Sequence, residues 1–242
     1  MPKPTLRVCA LYPDLMNIYA DRGNLLLLER RCGWRDIGFE LTGAGLGEAI
    51  DPEAHDLFYI GGGQDRDQAL CAEDLVATKR EALHAAAARS AVVLGVCGGY
   101  QLLGHSYQLG SQELPGVGLV DLRTVREDGP RLIGNVAIEM VTEDGPRVLA
   151  GFENHGGRTH LGTDEQPLGR VLRGHGNTGA SGVEGVRRGT VIGTYLHGPL
   201  LPKNTWFADW LVRTALGLDE LEQLDDRLED GAHASARRAA GL

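Results

Sequence analysis

The sequence predicts an α/β fold: a mostly parallel central sheet with an antiparallel or mixed extension. Three observations carry the prediction. As far as Tyr107, short apolar runs alternate with segments of helical spacing. From Gly116 onward, short β-runs follow one another, parted by Gly, Pro and Asp. At 242 residues the chain sits at the upper end of what one core supports. Strand alternating with helix implies a parallel sheet covered on both faces, because each crossover lays its helix across the sheet.

The elements follow in order. Leu6–Leu11 reads as a first strand, ended by Pro13. Asn24–Cys32 reads as a helix, Phe39–Thr42 as a strand, and Leu57–Ile60 as a second apolar strand stopped by Gly61-Gly62-Gly63. Asp67–Arg89 has helical spacing and many alanines. Ala91–Val96 is a buried strand, and Gly99–Tyr107 a helix. In the second half, residues 116–125, 131–141, 147–152, 182–187 and 191–196 read as β-runs. Lys203–Leu216 is a helix with Trp206 and Trp210 on one face. Leu221, Leu224 and Leu228 keep helical spacing in an acidic C-terminal segment, which packs on its own domain or docks on a partner. The expected division is a domain over 1–217 and an acidic helical tail over 218–242.

Composition narrows the function classes. Lys and Arg number 24 against 33 Asp and Glu, so the net charge is −9 and no basic footprint for nucleic acid is expected. Hydrophobic content of 42% argues against wholesale disorder. The longest purely aliphatic run, Leu25–Leu28, is far short of the roughly 20 residues of a membrane span. The N-terminus lacks the apolar stretch of a signal peptide. Cys9, Cys32, Cys71 and Cys97 are scattered without a C-x-x-C pair, so reduced thiols in a cytoplasmic compartment are expected.

The strongest local signal is Gly95-Val96-Cys97-Gly98-Gly99, where a strand runs into a helix through G-x-C-x-G. This is a cysteine version of the nucleophile elbow. The helix N-terminus then points unpaired N–H groups at the sulfur, which favours thiolate. The competing reading is a buried cysteine at a glycine-rich turn. A thiolate nucleophile needs a base, and two histidines lie just past strands: His197 before Gly198-Pro199, and His155 within Glu153–Arg158. Gly61–Gly63 also follows a strand and suits a phosphate cradle, an oxyanion hole or a plain turn. The chain has no Gly-Lys dipeptide, hence no Walker A loop, and Gly43-Ala44-Gly45-Leu46-Gly47 has Glu48 where a dinucleotide fingerprint needs glycine. No metal site is expected, since His155 and His160 are five apart with no cysteine near.

Together, the Cys97 elbow and a histidine about one hundred residues on resemble the class I, triad-type glutamine amidotransferases. The Tyr195-Leu196-His197-Gly198 ending resembles the branch that includes the cobyric acid synthase glutaminase domains. Tyr12–Asn24, Gly61–Asp65 and Phe152–Thr159 narrow the resemblance to the GatD family, the glutaminase subunits of lipid II isoglutaminyl synthases. The likeness runs from about residue 6 to residue 216. It implies a flavodoxin-like three-layer sandwich and hydrolysis of L-glutamine through a Cys-His thioester mechanism. It also implies ammonia delivery to a MurT-like, Mur-ligase-type synthetase that amidates D-glutamate to D-isoglutamine. ATP and Mg would belong to that partner, with no cofactor in this chain.

Residue by residue, the resemblance makes Cys97 the nucleophile and His197 the base. The oxyanion hole falls to Gly98 with Gly62 or Gly63. Gln101 and Arg131 would hold substrate, with Asn154 and His155 shaping the pocket. A guanidinium can pair an α-carboxylate through two hydrogen bonds, although a solvated surface arginine is the plain alternative at Arg131. One position departs from the wider class: Pro199 stands where a glutamate usually follows the histidine, and no acid occurs from Gly198 to Ala208. An acid from elsewhere in the fold or from a partner chain is expected in its place. The alternatives are the glutaminase part of another amidotransferase, such as a cobyrinate amidase, and a non-catalytic binding module. Cobyric-acid-type relatives carry an ATP-binding domain ahead of the glutaminase, whereas about five residues precede the first strand here. A binding module predicts a missing nucleophile or base, and both are present.

Overall fold

The computed structural model describes residues 3–18 and 21–242; Met1, Pro2, Tyr19 and Ala20 lie outside the described residues, the last two within the Tyr12–Asn24 segment. The first half runs β1 (Thr5–Leu11), α1 (Arg22–Gly33), β2 (Gly38–Ala44), β3 (Leu57–Ile60), α2 (Asp65–Asp74), α3 (Arg80–Ala88), β4 (Val92–Val96) and α4 (Gly98–Leu102). Then come β5 (Ser106–Leu109), β6 (Gln112–Pro115), β7 (Leu122–Arg126), β8 (Leu132–Thr142), β9 (Gly145–His155), β10 (Gly157–Leu161), β11 (Gly169–Arg173), β12 (Val183–Glu184), β13 (Val186–Arg188) and β14 (Val191–Thr194). The chain closes with α5 (Leu200–Lys203), α6 (Thr205–Leu216) and α7 (Arg227–Ala239).

The central sheet has the order β13-β14-β4-β3-β1-β2. All its neighbours pair in parallel except β13 with β14. Alternation along the strands splits the core between its two faces. Leu6, Val8, Leu57, Tyr59, Val92 and Leu94 pack with α1 and α6, while Cys9, Leu11, Phe58, Ile60 and Val93 pack with α2 and α3. A sheet buried on both faces therefore reads as continuous apolar runs, which is why β3 and β4 are legible in the sequence. Helix α6 buries Phe207, Trp210, Leu211 and Val212 and ends at Gly217, whose φ of +61° suits the left-handed cap. Each large side chain so buried contributes roughly 1.5–3 kcal/mol.

The mixed part forms two further four-stranded sheets, β10-β7-β5-β6 and β12-β11-β8-β9. The long hairpin β8–β9 pairs from Leu132↔His155 to Thr142↔Gly145. A bridge between Phe152 and His197 joins it to the chain leaving β14.

Five stretches differ from the sequence expectation. The helix expected over 99–107 stops at Leu102, because the chain peels away to pair: His105 N–H donates to Leu122 O, and Tyr107 lies opposite Leu114 in the β5–β6 hairpin. The segment 67–89 is helical but interrupted by a π-turn at Leu75–Lys79. That wider turn brings residues five apart together, and the buried Lys79 ammonium reaches Asp74 Oδ2 at 2.5 Å. The β-runs expected over 116–125 and 182–187 are shorter, with β7 starting at Leu122 and the other broken at Gly185. Of the leucine spacing at 221–228 only Leu228 is helical, in the first turn of α7; residues 221–226 form no helix. Arg35 Nε donates to Glu222 O, and the fully buried Arg31 donates to Asp226 Oδ2, so two arginines, one in the last turn of α1 and one just past it, tie down the irregular stretch ahead of α7.

Candidate active site

Cys97 is the first residue beyond β4, with φ +53° and ψ −107°. A non-glycine residue in that region carries strain of order 1–3 kcal/mol, so its surroundings must over-determine it. They do. A Cβ on Gly99 would lie 2.3 Å from Ile60 O, and one on Gly95 would lie 2.9 Å from the Gly99 backbone. The strand-to-helix turn is folded so tightly against β3 that the G-x-C-x-G spacing is a steric requirement. Gly99 N–H donates to Gly61 O at 3.0 Å, which fixes the elbow to the glycine loop after β3.

His197 reaches the same edge from the adjacent strand. Thr194 of β14 pairs with Val96 of β4, and Cys97 N–H donates to Thr194 O at 2.8 Å. The His197 backbone exchanges two hydrogen bonds with Phe152, of 3.0 and 3.1 Å, and its ring meets the Phe152 ring edge-on at 5.9 Å. The side chain is fully buried. Burial first, then His155, Lys203 and Arg131, brings its pKa down to about 4, so the imidazole is neutral near pH 7.

A cavity of about 370 Å³ opens at this edge. Its lining brings together seven of the residues expected from sequence: Gly63, Cys97, Gly98, Gln101, Arg131, Asn154 and His155. Gly62 and His197 are buried beside it. Arg131 Nε donates to Asn154 Oδ1 and Nη2 donates to Asn154 O, both at 2.9 Å, so Asn154 aims the guanidinium. His155 is buried; its Nδ1 lies 2.8 Å from Gly157 O and is therefore the protonated nitrogen, because a carbonyl only accepts. Its ring stacks on Tyr195 at 3.5 Å. Gln101 lines the cavity, but its amide is engaged at both ends: Oε1 accepts from Gln68 Nε2 at 2.8 Å and Nε2 donates to the Tyr195 hydroxyl at 3.1 Å. It braces the wall more than it offers groups to a ligand.

Two details depart from the sequence reading. The Gly62 N–H is committed to Asp21 Oδ2 at 2.8 Å, which leaves Gly63, next to Gly98, as the loop amide on the cavity. The helix N-terminus was expected to favour thiolate at Cys97, yet the thiol is pushed up to about 12. Burial dominates, Asp21 and Asp65 add to it, and the Gly98 N–H and Arg131 only partly offset it. A five-residue α4 has too short a dipole to reverse that balance. Sequence reasoning gave no role to Asp21, Gln68, Tyr195 or the fully buried Glu153, whose Oε2 lies 3.7 Å from His155 Nε2. Asp21, Glu153 and Tyr195 lay inside segments already singled out; Gln68, one helical turn into α2, had no signal of its own.

The fold and this edge define a glutamine amidotransferase, and the chain belongs to the family of CobB/CobQ-like glutamine amidotransferase domains, which matches residues 7–205. Within that family it is similar to the lipid II isoglutaminyl synthase (glutamine-hydrolyzing) subunit GatD of Streptococcus pneumoniae, 38% identical over 87% of this chain and 80% of that one. The subunit of the same name from Staphylococcus aureus is 39% identical over 84% of this chain and 81% of its own length. A probable cobyric acid synthase of Methanothermobacter thermautotrophicus is 34% identical over 64% of this chain and 33% of its length. Among solved structures, PurLQS from Thermotoga maritima superposes with a TM-score of 0.59 over 81% of this chain and 87% of that chain, at 21% identity, a likeness of fold alone. Among the described residues, no helix is long and apolar enough to cross a membrane.

Proposed function

We propose that this chain is the glutaminase subunit of a two-chain amidotransferase, hydrolysing L-glutamine to glutamate and ammonia. The observation that carries the reading is the cavity where the strained elbow at Cys97 faces two backbone amides and an arginine held by Asn154. Arg131 binds the α-carboxylate of glutamine, which puts the side-chain amide at the sulfur. Cys97 Sγ attacks the amide carbon as its proton passes to His197. The tetrahedral oxyanion accepts the N–H groups of Gly98 and Gly63. The C–N bond breaks, ammonia leaves with the proton from His197, and water cleaves the thioester to release glutamate and the thiol. In this chain burial favours the neutral form of both partners, since the thiol is high and the imidazole low. Substrate and partner binding must supply the bias toward the ion pair.

Similarity to two GatD subunits across more than four fifths of the chain supports the cell-wall version of this activity. In it, ammonia passes to a MurT-like, Mur-ligase-type synthetase on a second chain, in the cytoplasm. That chain uses ATP and Mg to activate the α-carboxyl of D-glutamate in the lipid II stem peptide, giving D-isoglutamine. The test is co-purification with such a synthetase, followed by glutamine hydrolysis and transfer of amide-¹⁵N from glutamine to lipid II. Label in the D-glutamate residue is the expected result. Hydrolysis without transfer to any lipid II-type acceptor would confine the reading to a glutaminase, and no hydrolysis would end it.

A further inference from the structure

Asp21 occupies the position before α1 where an aspartate side chain ordinarily caps the helix, yet it makes no capping bond. Its carboxylate turns instead under the glycine loop, where Oδ2 accepts the Gly62 N–H at 2.8 Å. The residue is 1% exposed, and among the described residues Oδ1 has no hydrogen-bond partner. A buried carboxylate oxygen without a donor costs stability, so the arrangement calls for a reason.

The loop geometry supplies one. A Cβ built on Gly62 would lie 3.3 Å from Cys97 Cβ and 3.4 Å from Asp21 Oδ2, so the Gly62 peptide is wedged between acid and nucleophile. Gly62 O accepts from Ile18 N–H at 3.1 Å, and Gly61 O accepts from Gly99 N–H at 3.0 Å. With the Gly62 N–H held by Asp21, the loop is fixed on three sides, and the direction of the following amide, Gly63 N–H, is set. Resting on the glutaminase reading above, we infer that Asp21 is a positioning residue of this site, fixing the oxyanion loop against Cys97 and setting the charge against which the sulfur ionises.

The electrostatic surroundings agree. Burial raises the Asp21 carboxyl to about 7, with the Gly62 N–H pulling the other way. Tyr59 of β3, bonded to Asn24 of α1, lies in its field. Around the sulfur the charged groups are Asp21, Asp65 at the start of α2 and Arg131 before β8, with the Gly98 N–H of α4; neutral His197 lies beyond β14. Asp21 is the largest of the charged influences on Cys97 and opposes thiolate.

The test separates charge from geometry in the full-length chain. Asp21→Asn keeps an oxygen for the Gly62 N–H and removes the charge. Asp21→Ala removes both. Iodoacetamide alkylation of Cys97, read by peptide mass mapping from pH 6 to pH 9, reports thiolate without needing turnover. The Asp21→Asn rate should match wild type at pH 6, where the acid is already protonated, and exceed it about tenfold above pH 8. A ratio that stays flat across pH 7 overturns the charge role. In glutamine hydrolysis, Asp21→Ala should lower kcat about 100-fold with KM near wild type, the effect of losing one oxyanion donor. Wild-type kcat in Asp21→Ala overturns the positioning role. If wild type itself hydrolyses no glutamine, the glutaminase reading fails, while the alkylation profile still decides the relation of Asp21 to Cys97.

Discussion

The amide of Cys97 donates to the carbonyl of Thr194 at 2.8 Å, so the residue after β4 and the strand that leads to His197 are tied at their ends. Two parallel neighbours thereby present a thiol and an imidazole at one carboxyl edge, the place where open α/β sheets bind ligands.

Cys97 is expected to be the essential thiol. Cys9, Cys32 and Cys71 are buried, burial pushes their thiols up to about 11, 12 and 12, and none of the three lines the cavity. Cys97 is pushed as high, but it alone sits on the elbow beside candidate base and amides. Cys97→Ala should lower glutamine hydrolysis at least about 1,000-fold with an unchanged melting temperature. Serine at each of the other three positions should leave kcat within a few-fold. Normal turnover in Cys97→Ala would remove the mechanism.

Arg131 is expected to act on binding more than on chemistry. Its guanidinium is aimed by two bonds to Asn154 at the cavity rim. Arg131→Ala should raise KM for glutamine about 10- to 100-fold, the loss of a bidentate carboxylate pair worth about 1.5–3 kcal/mol. Asn154→Ala should move KM the same way by less. A fall in kcat with KM unchanged would place the guanidinium at the reacting carbonyl instead.

The π-turn at Leu75–Lys79 should be a stability element. Lys79 is fully buried, pairs with Asp74 and lies 4.7 Å from the Tyr12 ring centroid, while the Tyr12 hydroxyl donates to Asp74 at 2.7 Å. Lys79→Met leaves a mostly buried carboxylate without its cation and should cost about 3–5 kcal/mol. The double variant Lys79→Met/Asp74→Asn should recover part of that loss. Denaturant unfolding of these two variants and of Asp74→Asn alone completes the cycle, and additive losses would show that the pair is not coupled.

The central sheet was legible because β1, β3 and β4 are buried on both faces and their apolar runs stand out against flanking glycine and helix patterns. The elbow was legible because sterics demand Gly95 and Gly99. The short strands β5, β6, β10 and β11 were not. Tyr107-Gln108-Leu109, for instance, looks like a helix end until Leu114 pairs across from Tyr107, a long-range choice that local spacing does not encode. In the site, His155 carried a signal as a histidine just past a strand, whereas Arg131 was legible only through the family resemblance. The roles of Asp21 and Gln68 depend on partners 41 and 33 residues away, Gly62 and Gln101. The thiol's high pKa likewise follows from burial and acids that only the fold gathers around it.

Glu184 gives a pH signature that links the sheet edge to the site. It is fully buried; Oε2 accepts from the Thr194 hydroxyl at 2.9 Å and Oε1 from the Tyr195 N–H at 2.6 Å. Burial raises its carboxyl to about 8, these bonds pulling it down and Glu153 pushing it further up. A folded pKa above the unfolded value means that the native state binds the extra proton. The stabilisation is complete below the unfolded value of 4.5 and is lost as pH rises through about 8. Asp21, raised to about 7, has the same sign. His197 has the opposite one: lowered to about 4, it contributes stability that is complete above 6.5 and lost as pH falls through 4. A wild-type profile mixes the three, so a difference between two proteins is the useful quantity. Glu184→Gln keeps an oxygen for the Tyr195 N–H and cannot ionise. Its melting temperature relative to wild type should climb steadily between pH 5 and pH 8.5, by an amount corresponding to a few kcal/mol. Thermal unfolding of both proteins across that range is the measurement. Parallel profiles would mean that Glu184 ionises in the folded chain as readily as in the unfolded one, and that Thr194 and Tyr195 hold a carboxylate rather than an acid.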